Sequence, residues 1–384
     1  LYLIRTASEG KIGVSDSFVK HMDLCLLCRA CETACPSGVK FGFLMEAARG
    51  QVERRYQYPP AERRFRHVIL RTFTDLGRLR TLTILLRLYQ RLGLQRLIRA
   101  SGLLSLFGRL GQMEALLPEI ADPRLGEFPE VTPAKGQRRG RVGLLLGCVQ
   151  RFFFAHVNAA TVRVLSENGY EVVVPRDQGC CGSLCVHEGE RERGKELARQ
   201  TIECFELANV DVIAVNAAGC GSVMKEYWEL FHSDPAYAKQ AEAFSKKVRD
   251  VSELLAEAPL RGELQPLNLT VTYHDAGHLA HGQKIRQEPR RLLKAIPGLR
   301  FVELKESDFC CGSAGIYNLL HPDLAQQFLD RKIERIRETG ADVVLSGNPG
   351  CSLQIEKGLR ERGLQIRVLH PVELLDWSYR GAER

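Results

Sequence analysis

The tetrapeptide Cys-Cys-Gly-Ser occurs twice, as Cys180-Cys181-Gly182-Ser183 and Cys310-Cys311-Gly312-Ser313. Each copy has a further cysteine downstream, Cys220 and Cys351, and Cys148 precedes the first. The copies are nearly in register: 180 to 310 is 130, and 220 to 351 is 131. Two homologous halves are implied, each placing thiolates around something. A disulfide within a vicinal pair would be strained, because adjacent Cα atoms lie about 3.8 Å apart and relaxed bridges need roughly 4.4–6.8 Å. Both thiolates can instead face one metal centre. Redox-active thiols and inert buried cysteines are the competing readings.

A second, tighter pattern lies upstream. Cys25-Leu-Leu-Cys28-Arg-Ala-Cys31-Glu-Thr-Ala-Cys35-Pro36 has the C-x2-C-x2-C-x3-C-P spacing of a ferredoxin [4Fe–4S] loop. The short spacing lets one loop wrap a cube, and the proline turns the chain out of it. Zinc more often takes two separated C-x2-C pairs. In two-cluster ferredoxins the fourth cysteine of such a run serves the other cluster. On that reading Cys25, Cys28 and Cys31 hold one cluster and Cys35 contributes to a second; alternatively all four hold one. Residues 1–24 contain no cysteine and the chain starts at Leu1, so the complementary run is expected before Leu1.

The elements that must position these thiols follow from periodicity. Apolar runs at Arg141–Gly147, Glu171–Pro175 and Asp211–Asn216 read as strands, with helices over about 158–168 and 187–207 between them. The order repeats with Leu269–Tyr273, Arg300–Leu304 and Asp342–Ser346. Alternating strands and helices give parallel βαβ units, so the two repeats are expected to be α/β, preceded by a small α-helical ferredoxin-type domain. The cysteines follow strand ends, where open parallel sheets bind ligands. Helix N-termini there favour anions and are expected to lower thiol pKa values. Pro118, Pro123, Pro129 and Pro133 mark a linker, and Pro259, Gly262 and Pro266 a second boundary. The expected domains are 1–50 (ferredoxin-type), 51–140 (basic helical segment and linker), 141–258 (first cysteine-rich repeat) and 259–384 (second).

Thirteen cysteines with no export signal in view point to a reducing compartment and metal ligation; their odd number also disfavours full pairing. The net charge of +8 is concentrated. Between Glu53 and Leu110 there are thirteen arginines against Glu53, Glu62 and Asp75. Leu79, Leu82, Leu85, Leu86 and Leu92 recur there near helical spacing, so the stretch is read as amphipathic helices over 66–110. An arginine face solvated above an apolar core face is the plain reading; contact with anionic lipid or a partner subunit is the sharper one. Nucleic acid is not expected, because stacking aromatics do not interleave the arginines. No apolar run is long enough to cross a membrane as a helix. Cys204 falls mid-helix and is expected to be a small buried residue.

With these motifs on the page, the chain resembles the iron–sulfur subunits related to heterodisulfide reductase, and within them the bacterial glycolate oxidase iron–sulfur subunits. The matching stretches are Cys31-Glu-Thr-Ala-Cys-Pro-Ser-Gly38, Asn216-Ala-Ala-Gly-Cys-Gly221, Tyr273-His-Asp275 and Phe309-Cys-Cys-Gly-Ser-Ala-Gly-Ile-Tyr-Asn-Leu-Leu320. The resemblance implies an electron conduit. A partner dehydrogenase subunit carrying FAD would oxidise glycolate to glyoxylate and pass electrons through these clusters toward a quinone. It implies a cytoplasmic protein, peripheral on the inner membrane face. Lactate and glycerol-3-phosphate systems use similar subunits. The metal-binding set is Cys25, Cys28, Cys31, Cys35, Cys148, Cys180, Cys181, Cys220, Cys310, Cys311 and Cys351, with further Fe–S or Zn in the repeats. Relatives usually carry a cysteine in the segment reading Tyr273-His-Asp-Ala-Gly277-His278. Register agrees, since 277 minus 148 is 129. Gly277 therefore leaves the second set one ligand short, with His274, Asp275, His278 and His281 nearby. At Cys185 the resemblance would place a histidine. Heterodisulfide reductases bear an extra cysteine three residues before the last, where this chain has Ala217 and Asn348; this weakens a thiol–disulfide activity. A zinc-stabilised scaffold is the third reading.

Overall fold

The computed structural model describes residues 1–102, 108–120 and 123–381. Two sheets carry the repeats. The first has β1 (Val131–Thr132), β2 (Gly140–Leu145), β3 (Tyr170–Val173), β4 (Val212–Val215) and β5 (Val248–Asp250), in the order β1-β3-β2-β4-β5. The second has β6 (Thr270–His274), β7 (Arg300–Phe301), β8 (Val343–Ser346) and β9 (Arg367–Leu369), in the order β7-β6-β8-β9. All neighbours are parallel except the short β1 against β3. The sheets superpose in topology, β3-β2-β4-β5 on β7-β6-β8-β9. The six strands expected from periodicity form within a few residues of their predicted bounds; β1, β5 and β9 are too short to have shown a pattern.

Central strands read as continuous apolar runs because both faces are covered. Val142, Leu144 and Leu145 of β2 and Val343, Val344 and Leu345 of β8 are at most 1% exposed. One core runs through both repeats, joining Val142, Leu144 and Ala214 to Val271, Tyr273 and Val343. Across it, Arg163 on the helix Ala155–Glu167 makes a two-pronged ion pair with buried Asp376 on the helix Pro371–Arg380, at 2.7 and 2.8 Å.

The N-terminal stretch is helical: Tyr2–Ser8, Asp16–Asp23, Ala30–Ala34 and Phe41–Arg55, around a core of Phe18, Val19, Met22, Leu27, Met45, Ala48 and Val52. The basic region forms Pro60–Thr74, Leu76–Arg91, Leu94–Ala100 and Arg109–Ala115; the predicted helical stretch also covers 103–107, which lie outside the described residues. The plain reading of an apolar core face holds for part of it. Leu79 is buried and Leu82 and Leu86 pack beside it, but Leu85 and Leu92 are 59% and 62% exposed. Among the described residues no helix is long and apolar enough to cross a membrane.

Candidate metal centres

Each repeat delivers its cysteines from the carboxyl end of its sheet. In the first, Cys148 follows β2, Cys180 and Cys181 follow β3, and Cys220 lies five residues past the end of β4 on the helix Ala218–Lys225. The Cys148 and Cys180 sulfurs are 3.7 Å apart. Cys181 shares hydrogen bonds with Cys180 on one side and Cys220 on the other, so the four form a continuous sulfur chain. The Gly182 amide donates to Cys180 Sγ at 3.5 Å. In the second repeat the same order joins Cys310, Cys311 and Cys351. The Gly312 amide donates to Cys310 Sγ at 3.4 Å, and Asn348 Nδ2 donates to Cys351 Sγ at 3.5 Å. The glycine of each motif is obligatory. Gly182 and Gly312 have φ of +78° and +89°, and a Cβ there would meet the carbonyls of Gly194 and Ala325 at 2.8 and 2.5 Å.

All thirteen cysteines are free thiols. The expected lowering of thiol pKa values is reversed at Cys148, Cys180, Cys181, Cys310 and Cys311. Cys148 is held well above the ordinary thiol range by its hydrogen bond with Cys180 and then by burial, and Cys310 likewise by Cys311 and burial. Backbone amides do pull the other way, but neighbouring sulfurs and loss of water outweigh them. A cation bound among them reverses that balance, because metal ligation removes the thiol protons. Lys332, 1% exposed, supplies one fixed positive charge near Cys310, Cys311 and Cys351, and burial pulls its pKa down to about 8. It donates to the carbonyls of Glu306 and Ser307 at 2.6 and 3.1 Å.

Gly277, in register with Cys148, has a structural cause. A Cβ on Gly277 would lie 2.7 Å from the Cys28 carbonyl oxygen and 3.3 Å from Cys28 Cβ. The N-terminal cysteine loop occupies the space a side chain would need. Of the polar residues nearby, three are committed elsewhere. Asp275 pairs with Arg290 at 2.6 Å. His278 Nε2 donates to the Leu27 carbonyl at 2.8 Å, and His281 Nδ1 lies 2.8 Å from Thr33 Oγ1. His274 lies with the sulfurs instead. It is 1% exposed, its Nδ1 meets the Ser307 carbonyl at 3.1 Å, and its Nε2 has no partner. His274, Cys311 and Cys351 each present a ligand atom, all within 4.8 Å of one another. Burial, and then the Lys332 charge, push the His274 pKa down to about 3, so the imidazole is neutral.

In the N-terminal loop, Leu27 and Arg29 flank Cys28 with left-handed φ of 50° and 66°. That strain is held by tertiary bonds. Arg29 Nη1 reaches Glu226 at 2.7 Å and Ser222 at 3.2 Å, and Arg29 Nη2 pairs with Glu32 at 3.0 Å. Arg49 donates to the carbonyls of Cys25 and His187 at 2.6 and 2.7 Å, and His187 meets Glu46 at 2.8 Å. The loop is thus pinned to both repeats. Cys31 feels the charge of Cys28 and Cys25, and Cys28 that of Cys310 and Cys25; burial raises Cys28 to about 11. Cys35 stands apart. Its thiol is lowered by the amides of Val39, Ser37 and Gly38. Cys185 is fully buried and lies beside Cys180 and Leu197, with its sulfur 3.8 Å from Glu190. Cys204 is half-buried on its helix and not fully buried as expected.

Duplicated parallel sheets with sulfur clusters at their carboxyl ends define a cysteine-rich metal-binding protein of two repeats. The family model for the cysteine-rich (CCG) domain matches residues 142–225 and 271–356, and the model for the linker region of the glycolate oxidase iron-sulfur subunit matches 61–117. The chain is 38% identical over 380 residues to the probable glycolate oxidase iron-sulfur subunit of Bacillus subtilis, spanning 97% of this chain and 86% of the relative. It is 31% identical over 382 residues to the glycolate oxidase iron-sulfur subunit of Escherichia coli, spanning 98% and 86%. Lactate utilization protein A of an Exiguobacterium strain is 32% identical over 238 residues, 61% of this chain and 96% of that protein. The chain belongs to the glycolate oxidase iron–sulfur subunit family.

Proposed function

We propose that the chain is the electron-transfer subunit of a flavin-dependent 2-hydroxy-acid dehydrogenase, with glycolate as the substrate oxidised on a partner subunit carrying FAD. One observation carries the reading. The N-terminal cysteine loop packs directly on the second repeat, Cys28 against Gly277, with Tyr317 under the influence of both Cys310 and Cys25. Redox centres held there would be neighbours. Cys25, Cys28 and Cys31 would hold a [4Fe–4S] cluster and Cys35 would serve a second, within a ferredoxin-type domain over 1–50. The basic segment and linker occupy 51–140, and the repeats 141–258 and 259–384. Cys148, Cys180, Cys181 and Cys220 form one ligand set; Cys310, Cys311 and Cys351 belong to the other.

An iron–sulfur cluster supplies reversible one-electron transfer when bound. The chain's own residues do the rest. Arg29, Arg49 and His278 fix the loop against the repeats, Gly277 permits that approach, and Lys332 offsets thiolate charge. Ile84, Leu85 and Leu88 are 57%, 59% and 52% exposed on the helix Leu76–Arg91, beside exposed Arg80 and Arg91. That face suits the anionic cytoplasmic membrane surface, where quinone would accept the electrons.

The test is co-purification with a flavoprotein, followed by dye reduction with glycolate against lactate. Glycolate-dependent reduction that is lost with Cys25→Ser supports the reading; faster reduction with lactate moves the substrate. Iron, zinc and sulfide analysis of anaerobic protein decides between an electron conduit and a zinc scaffold. A colourless, zinc-loaded chain refutes the conduit.

A further inference from the structure

We infer that His274 is the fourth ligand of the second repeat's metal centre, completing a set of three thiolates and one imidazole with Cys310, Cys311 and Cys351 in place of the side chain missing at Gly277. The inference rests on the metal reading of that repeat and adds the ligand which that reading lacks.

The register of the two sheets places the substitution. Leu145 pairs with Val215 in the first sheet, and His274 pairs with Ser346 in the second. Leu145 and His274 are therefore equivalent: each is the last residue of its central strand, at the carboxyl edge that faces the cysteines. Three residues beyond, the first repeat has Cys148 and the second has Gly277. One repeat carries leucine on the strand and cysteine in the loop; the other carries histidine on the strand and glycine in the loop. The nitrogen stands three residues before the position of the absent sulfur.

The tautomer fits. A carbonyl only accepts, so the proton of His274 sits on Nδ1, which donates to Ser307 O at 3.1 Å. Nε2 is left with a lone pair, buried and unpartnered, on a ring that presents a ligand nitrogen within 4.8 Å of the Cys311 and Cys351 sulfurs. An orphaned acceptor at 1% exposure is costly without a use. Holding a ligating imidazole through its other nitrogen by a backbone carbonyl is how metal sites orient histidine. The carbonyl is itself fixed by Lys332 Nζ at 3.1 Å. Binding releases the three thiol protons to solvent, while the neutral imidazole releases none. The donor set suits a thiophilic metal, either zinc or the iron of a cluster.

The full chain, purified anaerobically, would be assayed for zinc, iron and sulfide as wild type, Cys311→Ser, His274→Leu and His274→Cys. Leucine is the residue of the equivalent strand position, so His274→Leu keeps an apolar strand end; far-UV circular dichroism and the N-terminal cluster signal check the fold. Cys311→Ser and His274→Leu should lose the same metal equivalents, and His274→Cys should retain them. Wild type labelled with 15N-histidine should show nitrogen at the metal, by X-ray absorption for zinc or hyperfine coupling for iron. Loss with Cys311→Ser but full retention with His274→Leu, or no histidine nitrogen at the metal, overturns the inference and leaves the thiolate centre standing. Unchanged metal in both variants overturns the centre and the inference together. If His274→Leu fails to fold, the nitrogen signal of wild type decides alone.

Discussion

Replacing Arg29 by methionine tests what holds the N-terminal loop to the first repeat. Arg29 is 7% exposed and bonds to Glu226 (2.7 and 2.9 Å), Glu32 (3.1 and 3.0 Å) and Ser222 (3.2 Å). Methionine keeps much of the volume and removes the charge, leaving two carboxylates facing each other. Breaking a buried pair from one side costs about 3 kcal/mol. In native-state hydrogen exchange that is about a hundredfold loss of protection at the interface. The Gly42 amide, which donates to Glu32 at 2.5 Å, and the helix Ala30–Ala34 are the reporters. The pH dependence is specified too. Burial raises the Glu226 carboxyl from 4.5 to about 7, against the pull of Arg29. A raised acid contributes its full stability below its unfolded pKa, and that contribution is lost as pH rises through the folded value. For Glu226 the window is pH 4.5 to about 7. At pH 5.5 Glu226 is largely protonated in the fold and needs its cation less, so Arg29→Met should cost less there than at pH 8. Protection reduced by less than about fivefold at pH 8, or equally at both pH values after correction for intrinsic exchange, refutes the reasoning.

Other outcomes follow from the same geometry. Gly277→Ala should displace the cysteine loop, since its Cβ would lie 2.7 Å from the Cys28 carbonyl; the cluster should bleach faster in air while the first repeat's metal content is unchanged. Cys25→Ser should abolish a low-potential electron paramagnetic resonance signal, whereas Cys35→Ser should spare that signal, and an unchanged spectrum for Cys25→Ser counts against the loop as a cluster site. Asp376→Asn removes the anion facing Arg163 at 2.7 Å and Arg380 at 3.2 Å; because both arginines keep contact with water, it should cost about 1 kcal/mol and slightly lower the thermal midpoint of the two repeats, visible by circular dichroism.

The repeat was legible because its signals are local. Vicinal cysteines followed by glycine, strands with continuous apolar runs and the near-constant offset of the halves need only neighbours in sequence to be recognised. β1, β5 and β9 were not legible, since no extended apolar run surrounds them as one surrounds β7, and their pairing is decided by the sheet edge they meet. The thiol pKa values were misjudged for a related reason. Helix N-termini can be inferred from sequence, but the burial and sulfur–sulfur contacts that outweigh them arise only when the loops converge. Likewise the exposed Leu85 and Leu88 show that an apolar stripe tells which residues share a helix face, not whether another element covers it.

The doubled cysteine motif, the ferredoxin spacing and the glycine at the register position of Cys148 were determined by the sequence alone, because each is a matter of residue type and interval. Only the tertiary structure decided why Gly277 is glycine and which histidine stands beside the sulfurs. Gly277 and Cys28 are far apart in sequence, and their contact exists only once the N-terminal loop docks on the second repeat. That docking uses His278 and His281 in hydrogen bonds to the loop and leaves His274, anchored by one nitrogen at the end of β6, with its ring beside the Cys311 and Cys351 sulfurs.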